Sequence, residues 1–337
     1  VTQPESDLKL LLKRGALIAA ANWPAVAVQF VGQTTFQALL AVPILGAAVL
    51  VAVLIGADLG ELLQGSLREV FATITATLTS QPAALVCFIV ALAIALVGGS
   101  ALMFFIKGGI VDVLLAADEG AGPIEREPVT LGSLRAISRF TLPRFTHGCS
   151  RLFPRYLALG CVLMVVYAVS GAGYLAFVVY GYQAAAGLVL VIGWTVVVAA
   201  ATAGLIAWIT LVNLVYLLLQ IAIAVDNLAL VESMRTVARF LRSEFRELAG
   251  VFLVILALVI AATLASTLAW SGVGLIAFVP LVGLAVFPIQ IVALLVRGLA
   301  FEYIGLAAMS TYVTLYRRPR TKAAPLRPSG SAADEGE

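Results

Sequence analysis

Charge is what this chain has least of. Aspartate, glutamate, lysine and arginine make up 12% of 337 residues, where soluble domains carry about 25%. That scarcity excludes a disordered chain and a nucleic-acid-binding surface. Histidine is nearly absent too, with His147 alone. One histidine cannot build an HExxH or two-histidine metal site, and His147 with Cys149 and Cys161 lacks zinc-finger spacing and a fourth ligand. The cysteines number three, Cys87, Cys149 and Cys161, an odd count in or beside apolar runs. They read as small packing residues rather than a disulfide framework. Walker A and GxGxxG sequences are missing. Ser170, between Ala168 and Gly173, lacks the GxSxG frame and a histidine in another span to serve as its base. The expectation is a protein without enzymatic activity and without a cofactor.

Apolar residues fill the space that charge leaves, at 62% of the chain. Four runs contain no charged side chain: Gly15–Ala57, Val70–Ile106, Tyr156–Val225 and Leu248–Val296. A membrane-spanning helix needs about 20 apolar residues, whereas barrel strands need about 10 and alternate in polarity. The runs therefore predict an all-α integral membrane fold with six transmembrane helices. The predicted spans are 36–56, 83–106, 156–180, 188–224, 249–270 and 275–296, with turns near Gly181–Gly187 and Ser271–Gly274. Residues 15–35 are ambiguous, since Asn22-Trp23-Pro24 interrupts them; an interfacial helix, a re-entrant segment and a further span all fit. That interruption also argues against a cleaved signal peptide.

Cations fix the predicted orientation. With both termini inside (N-in/C-in), 19 of the 21 lysines and arginines fall on the cytoplasmic side, as the positive-inside rule requires. Arg68 is the exception, and Arg297 ends the last span, where its side chain can snorkel. Amphipathic cytoplasmic helices are predicted at 6–21, 130–147 and 228–247, a small outer helix within Asp58–Pro82, and a disordered tail over 317–337.

The two large cytoplasmic loops repeat one pattern. Ser133–Phe145 aligns without a gap to Ser233–Phe245, with Ser133/Ser233, Arg135/Arg235, Arg139/Arg239, Phe140/Phe240 and Phe145/Phe245 identical. In the second copy Arg235, Arg239, Arg242 and Arg246 fall within an arc of roughly 60° on a continuous helix. Leu230, Met234, Val237, Leu241, Phe245 and Leu248 occupy the opposite side. Such a helix lies flat at an interface. In the first copy Leu142 and Thr146 replace two arginines of the stripe and Pro143 breaks the helix. The layout is then two hairpin units, spans 2–3 and 4–5, each with a basic connector. Arg135, Arg139, Arg235, Arg239, Arg242 and Arg246 are the candidate docking residues for membrane lipid, anionic lipid above all, or for a cytoplasmic protein partner.

Ala222–Phe240 followed by a fresh span, with Phe105–Asp112 and the closing Tyr312–Arg318, resembles the glycerophosphoryl diester phosphodiesterase membrane domain and related bacterial families of unknown function. The likeness covers most of residues 80–320. It implies a multi-pass protein of a bacterial inner (plasma) membrane and supplies no functional residues. The hydrolase sometimes fused to that domain needs histidines and metal-binding carboxylates that this chain lacks.

Polar residues inside spans are the remaining leads, because each is costly in hydrocarbon. Gln29, Gln33 and Gln37 form one i, i+4, i+8 stripe; Asn213 and Gln220 share a face of span 4; Gln290 lies in span 6. Interhelical hydrogen bonds explain such residues, and so does a lined cavity. Lys107 with Asp112, and Arg297 with Glu302, have i+5 spacings that do not pair on one helix. Asp112, Asp118, Glu119, Glu125 and Glu127 read as surface charge in a solvated loop. The expected function is a non-catalytic membrane protein that organises lipid or a partner through its basic helices. The alternative is a transporter or permease subunit whose connectors dock on an ATPase.

Overall fold

The computed structural model describes residues 4–55, 80, 82–185, 188–277 and 282–323. Among the described residues every regular element is helical: α1 (Pro4–Ala21), α2 (Trp23–Ile55), α3 (Pro82–Gly120), α4 (Leu131–Ile137), α5 (Leu142–Ala184), α6 (Leu188–Asp226), α7 (Leu230–Ser243), α8 (Phe245–Ala277) and α9 (Val282–Ala323). Six of them are long and apolar enough to cross a membrane: α2, α3, α5, α6, α8 and α9.

Several of these helices are far longer than a bilayer requires. At 1.5 Å per residue the 39 residues of α3 reach about 58 Å, nearly twice the ~30 Å hydrocarbon core. The surplus turns all gather at one end and build the protein's packed core. Ile18 of α1, Ile110 and Leu114 of α3, Leu152 and Tyr156 of α5, Leu218 and Ile221 of α6 and Val313 of α9 are fully buried there. At the other end Ile94, Val169, Val196 and Leu268 each expose more than half their surface. Apolar side chains turned outward along a span are what lipid contact demands. The start of α2 and the end of α3 belong to the packed end, and each following span reverses direction. Both α1 and the close of α9 therefore come to that same end.

Small residues let the packed helices approach. A Cβ added to Gly15 of α1 would fall 2.0 Å from Thr311 Oγ1 and 2.7 Å from the Ala307 carbonyl oxygen. No side chain fits there, so α1 lies backbone-to-backbone on α9. The Tyr303 hydroxyl donates to the Ala16 carbonyl at 3.1 Å and closes the same contact. The chain turns between α1 and α2 at Asn22, a fully buried residue. Its amide donates to the Ile18 carbonyl at 2.9 Å and its Oδ1 accepts the Arg139 backbone N–H at 2.9 Å.

Five expectations are revised. Residues 15–35 are not one segment ahead of a span at 36: α1 packs into the core and ends at Ala21, and α2 runs unbroken from Trp23 to Ile55. The 130–147 helix divides, because α4 ends at Ile137 and α5 starts at Leu142 with Pro143 in its first turn, where proline needs no donor. The 228–247 helix also divides, at Glu244, so Arg246 stands on α8 rather than in line with Arg235. Ser271–Gly274 is helical, and its Ser271 hydroxyl bonds back to the Thr267 carbonyl. The tail begins later than residue 317, since α9 continues to Ala323. The suggested outer helix within 58–82 and most of the tail lie outside the described residues.

The two hairpin units also differ. Spans α3 and α5 pack closely, and Gly108 and Gly148 face each other where they cross. Spans α6 and α8 instead pack mainly against other neighbours, α6 on α5 and α8 on α9. The helices within the two connections differ as well: the 7 residues of α4 span about 10 Å and the 14 residues of α7 about 21 Å.

Candidate functional site

The packed end carries two populations of arginine. Arg14 of α1 donates to Asp118 at 2.9 Å and to Glu125 at 3.0 Å, with only 14% of its side chain exposed. Burial alone would lower the Arg14 guanidinium, but the charges of Asp118 and Glu125 and their hydrogen bonds outweigh it and raise it. Arg317 of α9 reaches Asp118 at 3.6 Å and Glu119 at 2.8 Å, and the Thr314 hydroxyl donates to Asp118 at 2.9 Å. Arg151 and Arg144 of α5 pair with Asp112 at 2.6 and 3.5 Å. Asp112, Asp118 and Glu119 are thus helical residues in ion pairs, not charges of a solvated loop: Asp112 ties α3 to α5, and Asp118 and Glu119 belong to a knot with α1 and α9. The partners lie 32 to 199 positions away in sequence, so local spacing could not reveal them.

The connector arginines are different. Arg135, Arg139, Arg235, Arg239, Arg242 and Arg246 are all exposed, and among the described residues no carboxylate pairs with any of them. Arg239 reaches only the Thr236 hydroxyl, at 3.4 Å. The repeat extends to burial: Ile137 and Val237 are 4% and 3% exposed, and Phe140 and Phe240 both pack on the core. The apolar arc of α7 is divided. Val237 and Phe240 face the core, with Phe240 edge-on to Tyr316 at 5.1 Å. Met234 stays half exposed and lines a 270 Å³ apolar cleft with Leu159, Val162, Trp208 and Leu219 of the third and fourth spans. That cleft sets α7 at the level where those spans leave the core.

A second polar feature lies between the first and last spans. A groove of about 540 Å³ separates α2 from α9 and is lined by Phe30, Gln33, Thr34, Gln37, Arg297 and Glu302 among others. Two of the three predicted glutamines therefore share one cavity. The third, Gln29, is buried and is not among the groove's described lining residues. Lys107 stands over the Tyr216 ring, 5.4 Å from its centre. Among the described residues Arg297 has no counter-ion, and its contact is the Phe301 ring at 5.8 Å.

The other polar leads do not join the groove. Asn213 accepts the Tyr167 hydroxyl at 2.6 Å, on the lipid-facing side. Gln220 is buried in the core, and its side-chain amide makes no hydrogen bond among the described residues. Its backbone carbonyl accepts from Tyr156 at 3.0 Å. Gln290 is half-buried and is not among the groove's described lining residues. The Ser170 hydroxyl accepts the Trp208 indole N–H at 3.0 Å, a structural bond between α5 and α6. His147 is exposed. No three potential metal ligands converge among the described residues.

No family model, curated protein or solved structure matches this chain.

Proposed function

We propose that this is a non-catalytic, multi-pass protein of a bacterial inner membrane, with both termini in the cytoplasm, that gathers anionic lipid on its cationic inner face. The observation that carries the reading is the contrast between the two sets of arginines. Arg14, Arg144, Arg151 and Arg317 are neutralised by carboxylates, while Arg135, Arg139, Arg235, Arg239 and Arg242 are exposed on the same end and have no carboxylate partner among the described residues. Cations beside an inner leaflet attract anionic lipid by about 1 kcal/mol each. The Met234 cleft supports a bilayer surface as the partner, because it sets the α7 connector beside apolar, span-level residues. The connectors act as a basic amphipathic rim held in place by Ile137, Val237 and Phe240.

The test is lipid retention. Full-length protein extracted in mild detergent from an equal mixture of phosphatidylglycerol and phosphatidylcholine is analysed for bound lipid by mass spectrometry. Wild type is expected to enrich phosphatidylglycerol. Arg235→Gln/Arg239→Gln/Arg242→Gln should reduce that enrichment by up to about a hundredfold, three arginines at about 1 kcal/mol each. An unchanged ratio means that these arginines set topology and nothing more.

A further inference from the structure

We propose a discrete binding site for one anionic glycerophospholipid, with its phosphate on Arg297 and one acyl chain in the neighbouring cleft. The site shares the bilayer placement of the preceding reading but none of its connector arginines.

Three observations converge. The first is the cation. Arg297 is exposed, lies on a spanning helix and has no carboxylate partner among the described residues. Glu302 lines the same groove but forms no ion pair with Arg297 among the described residues. An exposed arginine near the end of a span can reach the phosphate of an anionic lipid.

The second is the shape. Leu294, Arg297 and Phe301 form an i, i+3, i+7 stripe on α9 that borders two cavities at once. On the α2 side lies the polar groove, where Gln33, Thr34 and Gln37 add hydrogen-bonding groups. On the α8 side lies a 420 Å³ cleft lined by Ala262, Ala269, Trp270, Val292 and Ala293, almost wholly apolar. Both volumes fall in the range of small-molecule sites, about 300–1,000 Å³. A polar compartment joined to an apolar one across a single guanidinium matches an amphiphile, with a bidentate phosphate contact at the join.

The third is access and depth. Exposed Ile291, Leu295, Val296 and Leu299 flank the stripe, so an occupant arrives from lipid rather than from water. Gly298 meets Phe30, and Gly32 meets Ile106 and Met103. The groove is therefore level with the polar end of α3's apolar stretch, the depth of a headgroup. A water-soluble anion satisfies the first observation but neither of the others.

The test is a native mass-spectrometry titration of the full-length protein in detergent. Phosphatidylglycerol and phosphatidylcholine with identical acyl chains serve as probes, with sn-glycerol 3-phosphate as the headgroup-only competitor. One phosphatidylglycerol is expected to bind in preference to phosphatidylcholine. Arg297→Gln should cut that preference about tenfold, and Arg297→Lys should restore part of it. Ala293→Leu, which fills the cleft, should weaken both lipids alike. Equal binding of the two lipids to wild type, or no effect of Arg297→Gln in a folded protein, overturns the proposal. Full displacement by an equal concentration of glycerol phosphate also overturns it, because the site would then take a free anion. If the α7 triple variant alone loses phosphatidylglycerol, the groove proposal falls and the connector reading stands. If Arg297→Gln alone loses it, the groove stands and the connector reading falls.

Discussion

Arg14 and Arg239 occupy the same end of one bundle and live in different electrostatic worlds. Arg14 is largely enclosed and held by two carboxylates; Arg239 is exposed and touches one hydroxyl. The knot around Asp118 gathers α1, α3 and α9, so its charges hold the frame of the packed end. The side chains of the connector arginines pair with no carboxylate among the described residues, although the Arg139 backbone N–H is held by Asn22. A partly buried ion pair is expensive to break, because removing one member strands the other away from water. An exposed cation has no such role and is free to meet an external anion. Same-end placement thus separates residues that fold the protein from residues that address its surroundings.

That contrast can be broken at the knot first. Asp118→Ala leaves Arg14 and Arg317 without their shared carboxylate, and thermal unfolding in detergent should show a loss of about 3 kcal/mol or more. A loss no larger than that of a surface substitution would put the knot among the exposed pairs. Gly15→Ala comes next. Its new methyl meets Thr311 Oγ1 at 2.0 Å, and overpacking of this kind costs about 1–3 kcal/mol. Unfolding curves that superimpose on wild type would mean that α1 does not dock on α9 so closely. Arg235→Gln/Arg239→Gln/Arg242→Gln should lie within about 0.5 kcal/mol per site in the same measurement, as exposed unpaired residues do. A larger drop would reveal a structural role for the connectors. Leu268→Ala should have the smallest effect, below about 0.5 kcal/mol, since Leu268 is 74% exposed at the far end.

Run length made the spans legible. Each charge-free run holds the apolar stretch of its spanning helices, which continue past it at the packed end, and the break at Asn22-Trp23-Pro24 falls where the composition marks it. The repeat was legible too, down to the equivalent burial of Ile137 and Val237. The end of α3 was not. Its charges at Asp112 and Asp118 resemble a loop, because their counter-charges come from Arg14, Arg144, Arg151 and Arg317. Pairing across helices leaves no mark on local spacing. The Glu244 break was equally hidden, since the amphipathic pattern passes through it without interruption. Of the groove, Gln33 and Gln37 stood out as one stripe, whereas Arg297 and Glu302 gained meaning only when α9 lay against α2.

The account rests on the connectors facing the cytoplasm, and accessibility of one engineered thiol tests that directly. Ala238→Cys, exposed beside Arg239 on α7, is introduced into a chain whose three native cysteines are alanine. In intact spheroplasts a membrane-impermeant maleimide should leave it unmodified, and permeabilisation should allow full labelling. Labelling before permeabilisation would place Arg239 outside the cell and contradict the account.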